Sequence, residues 1–176
     1  MRVIAGKYKG RRLNSVKGDN TRPTLDRVRE NVFNLLSPSL AGARVLDLFA
    51  GTGAIGIEAL SRGAADVVFC DQARDSVATV RANLAVVGEN RRVMCSDYKQ
   101  CIRALGSDRF DIIYLDPPYD FDPDLAAIAE VLARGGRIVY EHSAAKAVAL
   151  PVRGLSVADE RKYGVARITI LERSDD

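Results

Sequence analysis

Val45-Leu46-Asp47-Leu48-Phe49-Ala50-Gly51-Thr52-Gly53-Ala54-Ile55-Gly56 decides the fold. A short apolar strand runs into a G-x-G-x-x-G loop, and the residues beyond it read as a helix to about Ser61. Gly51 and Gly53 permit a tight turn and close approach of the backbone to a ligand, and Gly56 lets the helix pack near the strand. Twenty residues beyond Gly51, Asp71 ends the next apolar run, Val67-Val68-Phe69-Cys70. A carboxylate there can accept hydrogen bonds from both hydroxyls of a ribose. The glycine pattern alone is weak, but strand, loop, helix and acid together point to a nucleotide-like ligand.

The alternation continues outward. A helix is expected from about Asp75 to Val87, a strand over Arg92-Val93-Met94-Cys95, and a short helix near residues 98–105. Asp111-Ile112-Ile113-Tyr114-Leu115 is a fourth strand, a helix falls within residues 122–133, and Ile138-Val139-Tyr140 is a fifth strand. Leu155-Ser156-Val157-Ala158 and Ala166 to Leu171 read as a closing antiparallel pair. Repeated strand and helix with apolar strands argues an α/β, Rossmann-like parallel sheet covered on both faces. Upstream, residues 24–36 show helical spacing of Leu25, Val28, Val32, Leu35 and Leu36, with Thr24 as N-cap and Ser37-Pro38 as terminator. Residues 1–20 fit a small hairpin. The whole, residues 1–176, reads as one domain: a basic hairpin extension (1–20) on a helix plus core (21–176).

Composition narrows the class. A chain of 176 residues can bury a full core. No uncharged apolar stretch approaches the roughly 18–20 residues of a membrane span, and the start lacks a secretory signal. Cys70, Cys95 and Cys101 are odd in number and widely spaced, which suggests buried thiols in a reducing cytoplasm. With His142 as the single histidine and no Cys-x-x-Cys, no metal site is expected. Residues 1–30 hold nine Lys and Arg against Asp19, Asp26 and Glu30, a surplus of +6. The rest of a chain with net charge +3 therefore carries −3. A basic arm on a mildly acidic body suits a polyanion docking at one end.

Two cofactor classes compete for the glycine loop. A dinucleotide sets its pyrophosphate at the helix N-terminus, where another carboxylate would repel it. Asp47, four residues before Gly51, instead suits a cofactor with a cationic end, as S-adenosylmethionine has. Asp97, after the third strand, is placed to accept from an adenine amine or simply to cap the following helix. The balance favours S-adenosylmethionine.

Asp116-Pro117-Pro118-Tyr119 follows the fourth strand and defines the acceptor. Proline donates no ladder hydrogen bond, so the strand stops abruptly. The turn then offers a carboxylate, a carbonyl and an aromatic ring, enough to hold a planar amine. A delocalised exocyclic base amine is a poor nucleophile. Asp116 and the Pro117 carbonyl could accept its two N–H groups and favour a tetrahedral nitrogen, while Tyr119 stacks on a base that has left its helix. Cytosine-C5 chemistry needs a cysteine at such a turn, and none is there. DNA adenine-N6 methylation is the main alternative, although 176 residues leave little room for a target-recognition region. An NAD-dependent oxidoreductase and a non-catalytic RNA-binding module are the alternatives outside methyl transfer.

Arg22-Pro23-Thr24 with Arg27 to Asn34, Val45 to Ala64, Asp116 to Tyr119, Tyr140 to Ser143 and Lys162-Tyr163-Gly164 together resemble the RsmD family. These are bacterial 16S rRNA guanine-N2 methyltransferases. The resemblance covers nearly the whole chain. It implies a hairpin and helix leading into a class I methyltransferase sheet of seven strands. It further implies a guanine of 16S rRNA in an assembling small subunit as substrate, and a cytoplasmic monomer is expected. By position, Asp47, Phe49, Gly51 and Gly53 would line the donor's methionine end. Asp71 would hold the ribose, where the family more often has glutamate, and Asp97 with Tyr98 the adenine. Asp116, Pro117, Pro118 and Tyr119 would form the guanine pocket. Lys7, Lys9, Arg11, Arg12, Arg22 and Arg29 would meet RNA phosphates, which supply most non-specific affinity.

Overall fold

A computed structural model describes residues 1–16, 23–118 and 120–174, with the backbone alone for residues 23–25. Helix α1 (Pro23–Leu40) leads into a regular alternation: β1 (Arg44–Asp47), α2 (Ala54–Ser61), β2 (Asp66–Asp71), α3 (Arg74–Val86), β3 (Val93–Cys95), α4 (Tyr98–Leu105), β4 (Phe110–Leu115) and α5 (Leu125–Ala129). Three strands follow: β5 (Leu132–Ser143), β6 (Leu155–Tyr163) and β7 (Ala166–Arg173). They form a seven-stranded sheet in the order β3-β2-β1-β4-β5-β7-β6. The first five strands are parallel, and β7 runs antiparallel to both β5 and β6. The expected α/β architecture and its closing antiparallel pair are therefore present.

Period-two alternation divides the core between the two faces of the sheet. Val45, Val67, Phe69, Ile112 and Tyr114 point to one face, where α1, α2 and α3 cover them with residues such as Val32, Phe33, Ile57 and Leu84. Their neighbours Leu46, Val68, Ile113 and Leu115 point to the other, under Ile102 and Leu105 of α4 and Ile128 of α5. A Cβ on Gly56 would lie 2.3 Å from the Phe69 ring. The absent side chain is thus what lets α2 lie against β2.

Three local expectations need correction. Helix α1 starts at Pro23, not at a Thr24 cap, because proline at the first helical position gives up an N–H that has no intrahelical partner. The helix also runs through Pro38 to Leu40. Pro38 removes one ladder bond, the one its N–H would have made to the Asn34 carbonyl, and buried Leu40 anchors the end. Strand β5 begins at Leu132, well before Ile138, so α5 is short. The irregular pairing between Phe110 and Ile112 accommodates the extra residues around Gly135.

The amino-terminal segment is less regular than a hairpin and more firmly attached. Arg2 and Arg12 form an isolated antiparallel bridge, supported by Val3 N–H to the Arg11 carbonyl at 3.0 Å. Val3 and Leu13 are buried in the core under α1 and α2. The segment is tied down by Glu58 of α2, whose carboxylate accepts from the Ile4 and Ala5 N–H groups at 2.8 and 3.1 Å. Asn83 of α3 binds Asn14 from the other side. Among the described residues no helix is long and apolar enough to cross a membrane.

Candidate active site

A pocket of about 650 Å³ opens at the carboxyl ends of the parallel strands. Strand β1 has β2 on one side and β4 on the other, so chain order reverses there, and this is where open α/β sheets bind ligands. Asp47, the glycine loop, Asp71, Asp97, Asp116 and Pro117 all line it, although they come from four different strand ends. The structure therefore brings together the two motifs singled out in the sequence.

Asp47 ends β1 with 2 % of its surface exposed. Its Oδ2 accepts the Gly56 N–H at 3.1 Å, which places a carboxylate at the amino end of α2. Burial nevertheless dominates and raises its pKa from 3.8 to about 7. Because the folded form holds the proton more tightly than the unfolded chain, ionising Asp47 costs stability. That cost is absent below about pH 4 and complete above about pH 7. Asp47→Asn keeps an acceptor for Gly56 without the charge. It is expected to stabilise the ligand-free protein by about 4 kcal/mol at pH 8 and by less than half of that at pH 5. Urea melts at the two pH values check this, and equal effects would contradict it.

Asp71 accepts from Gly51 N–H and Ala73 N–H, both at 2.9 Å, and so fixes the glycine loop against β2. Gly53 takes a left-handed conformation (φ 79°) as the N-cap of α2. Asp97 caps α4 through Gln100 N–H at 2.9 Å while lining the pocket, so both readings of this residue apply. Phe49, Tyr98 and Phe121 form an aromatic cluster with ring centroids 5.5–6.1 Å apart. The Tyr98 hydroxyl accepts from the Asp124 N–H, which ties that wall to the loop after β4.

Sequence reasoning missed several pocket residues. Phe121 sits two residues past Tyr119, and this spacing within the turn was the available signal. Tyr114 was read only as part of an apolar strand, but its hydroxyl meets Glu141 Oε2 at 2.8 Å on the pocket wall. Burial raises the pKa of both groups. Ser96 lines the pocket with a buried Oγ that has no hydrogen-bond partner among the described residues. His142 uses both ring nitrogens within the fold, on the Ser143 carbonyl and the Thr169 hydroxyl.

Other candidates lie apart from the pocket. Lys7, Lys9, Arg11 and Arg12 are exposed on the docked amino-terminal segment. Lys7 stands 3.4 Å from Glu89, and Arg11 donates to the Val86 carbonyl. Arg29 is corrected: it is 5 % exposed and lines the pocket instead of facing solvent for RNA phosphates. It pairs with Asp26 on its own helix at 3.1 Å. Cys70 and Cys101 are buried as expected, whereas Cys95, at the end of the short edge strand β3, is exposed. Arg22 and Tyr119 lie outside the described residues.

A parallel sheet closed by an antiparallel hairpin, with a glycine loop and acidic strand ends around one pocket, defines the class I methyltransferase fold. The solved structure named "Putative methyltransferase yhhF from Escherichia coli" shares it with a TM-score of 0.89 and 28% identity, over 100% of this chain and 99% of that one. A family model described as "Conserved hypothetical protein 95" matches residues 1–172, and the chain belongs to that family, the RsmD family that its motifs resemble. "Putative rRNA methyltransferase YlbH" of Bacillus subtilis (strain 168) is 38% identical over 98% of this chain and 99% of its own length. "Ribosomal RNA small subunit methyltransferase D" of Escherichia coli (strain K12) is 39% identical over 68% of this chain, a match spanning 60% of that relative.

Proposed function

We propose that this chain methylates the exocyclic N2 amine of a guanine in 16S rRNA of an assembling small subunit, with S-adenosylmethionine as donor. The observation that carries the reading is the convergence of the glycine loop and the Asp116-Pro117-Pro118 turn on one pocket at neighbouring strand ends. The names of the relatives support ribosomal RNA as the acceptor class.

The pocket's chemistry fits this donor. Buried Asp47 suits a cationic end, and Asp71 retains lone pairs for a ribose beyond those spent on Gly51 and Ala73. The orphaned Ser96 Oγ and the aromatic wall of Phe49 and Tyr98 suit an adenine. When bound, S-adenosylmethionine supplies an electrophilic methyl group. Asp116 and the Pro117 carbonyl accept the two N–H groups of the guanine amine, which localises its lone pair on nitrogen. Pro118 brings no ladder donor to the turn, and Tyr119 stacks on the base. The amine nitrogen would gain the methyl group as the donor's S–CH3 bond breaks and the neutral thioether leaves, and the surplus proton would pass to solvent at the open mouth of the pocket. Positioning and acceptor geometry supply the rate enhancement.

Lys7, Lys9, Arg11 and Arg12 meet the RNA backbone from a platform held by Glu58. Fixed cations lose less entropy on binding than a loose arm would. The test is made in cells. Deleting the gene is expected to remove one N2-methylguanosine from small-subunit rRNA, and the wild-type chain to restore it. An unchanged nucleoside profile would overturn the proposal.

A further inference from the structure

Arg29 is a buried cation that the fold does not fully use. Its Nη2 donates to the Arg2 carbonyl at 2.7 Å and to Asp26 at 3.1 Å. Among the described residues its buried Nε and Nη1 have no hydrogen-bond partner. A structural role, holding the amino-terminal segment to α1, accounts for Nη2 and leaves the other donors unexplained. Leaving charged donors unsatisfied is costly, so such groups in a pocket wall point to a ligand acceptor. Asp26, the partner in the ion pair, has a half-exposed side chain and offsets the charge weakly. Burial lowers the Arg29 pKa, yet an arginine stays cationic.

Asp47 lines the same pocket from β1, with Gly56 N–H as its donor. The pocket thus holds a buried cation and a buried acid that are not spent on each other. We infer that Arg29 binds the α-carboxylate of the methyl donor's amino-acid end while Asp47 takes the α-ammonium. The inference rests on the S-adenosylmethionine reading of this pocket. An RNA phosphate is a poorer occupant. Asp71, Asp97, Asp116 and Glu141 also line the cavity and oppose a second, uncompensated anion. A carboxylate that carries its own ammonium presents no such surplus. The same guanidinium grips the Arg2 carbonyl, so the donor site and the basic segment share one side chain.

The test compares S-adenosylhomocysteine, which keeps the amino-acid end, with 5′-methylthioadenosine, which lacks it, by calorimetry on the full chain. Arg29→Met is expected to weaken S-adenosylhomocysteine binding roughly 10- to 100-fold and 5′-methylthioadenosine binding less than about twofold. Arg29→Lys should recover part of the loss. Equal losses for both ligands would mark Arg29 as structural, and no loss for either would remove it from the site. If the Met variant does not fold, the wild-type chain decides with decarboxylated S-adenosylmethionine. Weaker binding than the intact donor is expected, and equal binding would overturn the inference. A wild-type chain that binds none of these adenosyl ligands would instead defeat the donor reading on which the inference stands.

Discussion

Asp116→Ala is expected to lower kcat about 10²- to 10³-fold, the usual cost of losing one preorganised group at a reacting centre. The side chain is exposed at the mouth of the pocket rather than part of the core. The melting temperature and S-adenosylhomocysteine affinity should therefore stay close to wild type. The loss should fall on kcat more than on KM, because the carboxylate matters most as the amine becomes tetrahedral. Asp116→Asn offers one oxygen acceptor but adds an NH₂ that opposes the substrate's N–H groups, and it should recover little. Activity within a few-fold of wild type in Asp116→Ala would remove this turn from the chemistry. An equal loss of cofactor affinity would move Asp116 to the donor site.

Glu58→Ala is expected to cost about 3–5 kcal/mol, the range for breaking a buried, fully engaged charge. Glu58 has no exposed surface, and its carboxylate accepts from Ile4 N–H, Ala5 N–H and Arg62 Nε. Truncation leaves all three donors without this acceptor and releases Val3 and Leu13 from the core. At this chain length the melting temperature should fall by roughly 10 °C. RNA affinity should fall with it, since Lys7, Lys9, Arg11 and Arg12 lose their platform, while S-adenosylhomocysteine binding should change less. A shift of a degree or two would show that the segment docks by its apolar residues alone.

The parts of this molecule legible in the sequence are those governed by local pattern. The apolar run that holds Asp47 and those ending in Asp71 and Asp116 marked strands and ligand-facing ends together, because a parallel sheet collects its strand ends on one edge. Helix α4 matched the expected span of residues 98–105 because its capping Asp97 is local. What depends on distant partners was not legible. The Glu58 clamp joins residues more than fifty positions apart, and nothing in the pattern of α2 marks that glutamate as special. Arg29 looked like one cation in a basic run, yet its burial depends on Arg2 and on the sheet beneath α1. Strand β5 began early because a bulge around Gly135 has no period to detect. Tyr114 was hidden by its own strand: the alternation that buries its ring also brings its hydroxyl to Glu141.

The most direct measurement of the central claim is methyl transfer from labelled S-adenosylmethionine to unmodified small subunits, naked 16S rRNA and duplex DNA, with the product nucleoside identified. Labelled N2-methylguanosine from the particle or the free rRNA, and nothing from DNA, is the predicted result. N6-methyladenine from DNA, or no transfer to any of the three by a chain that binds the donor, would contradict it.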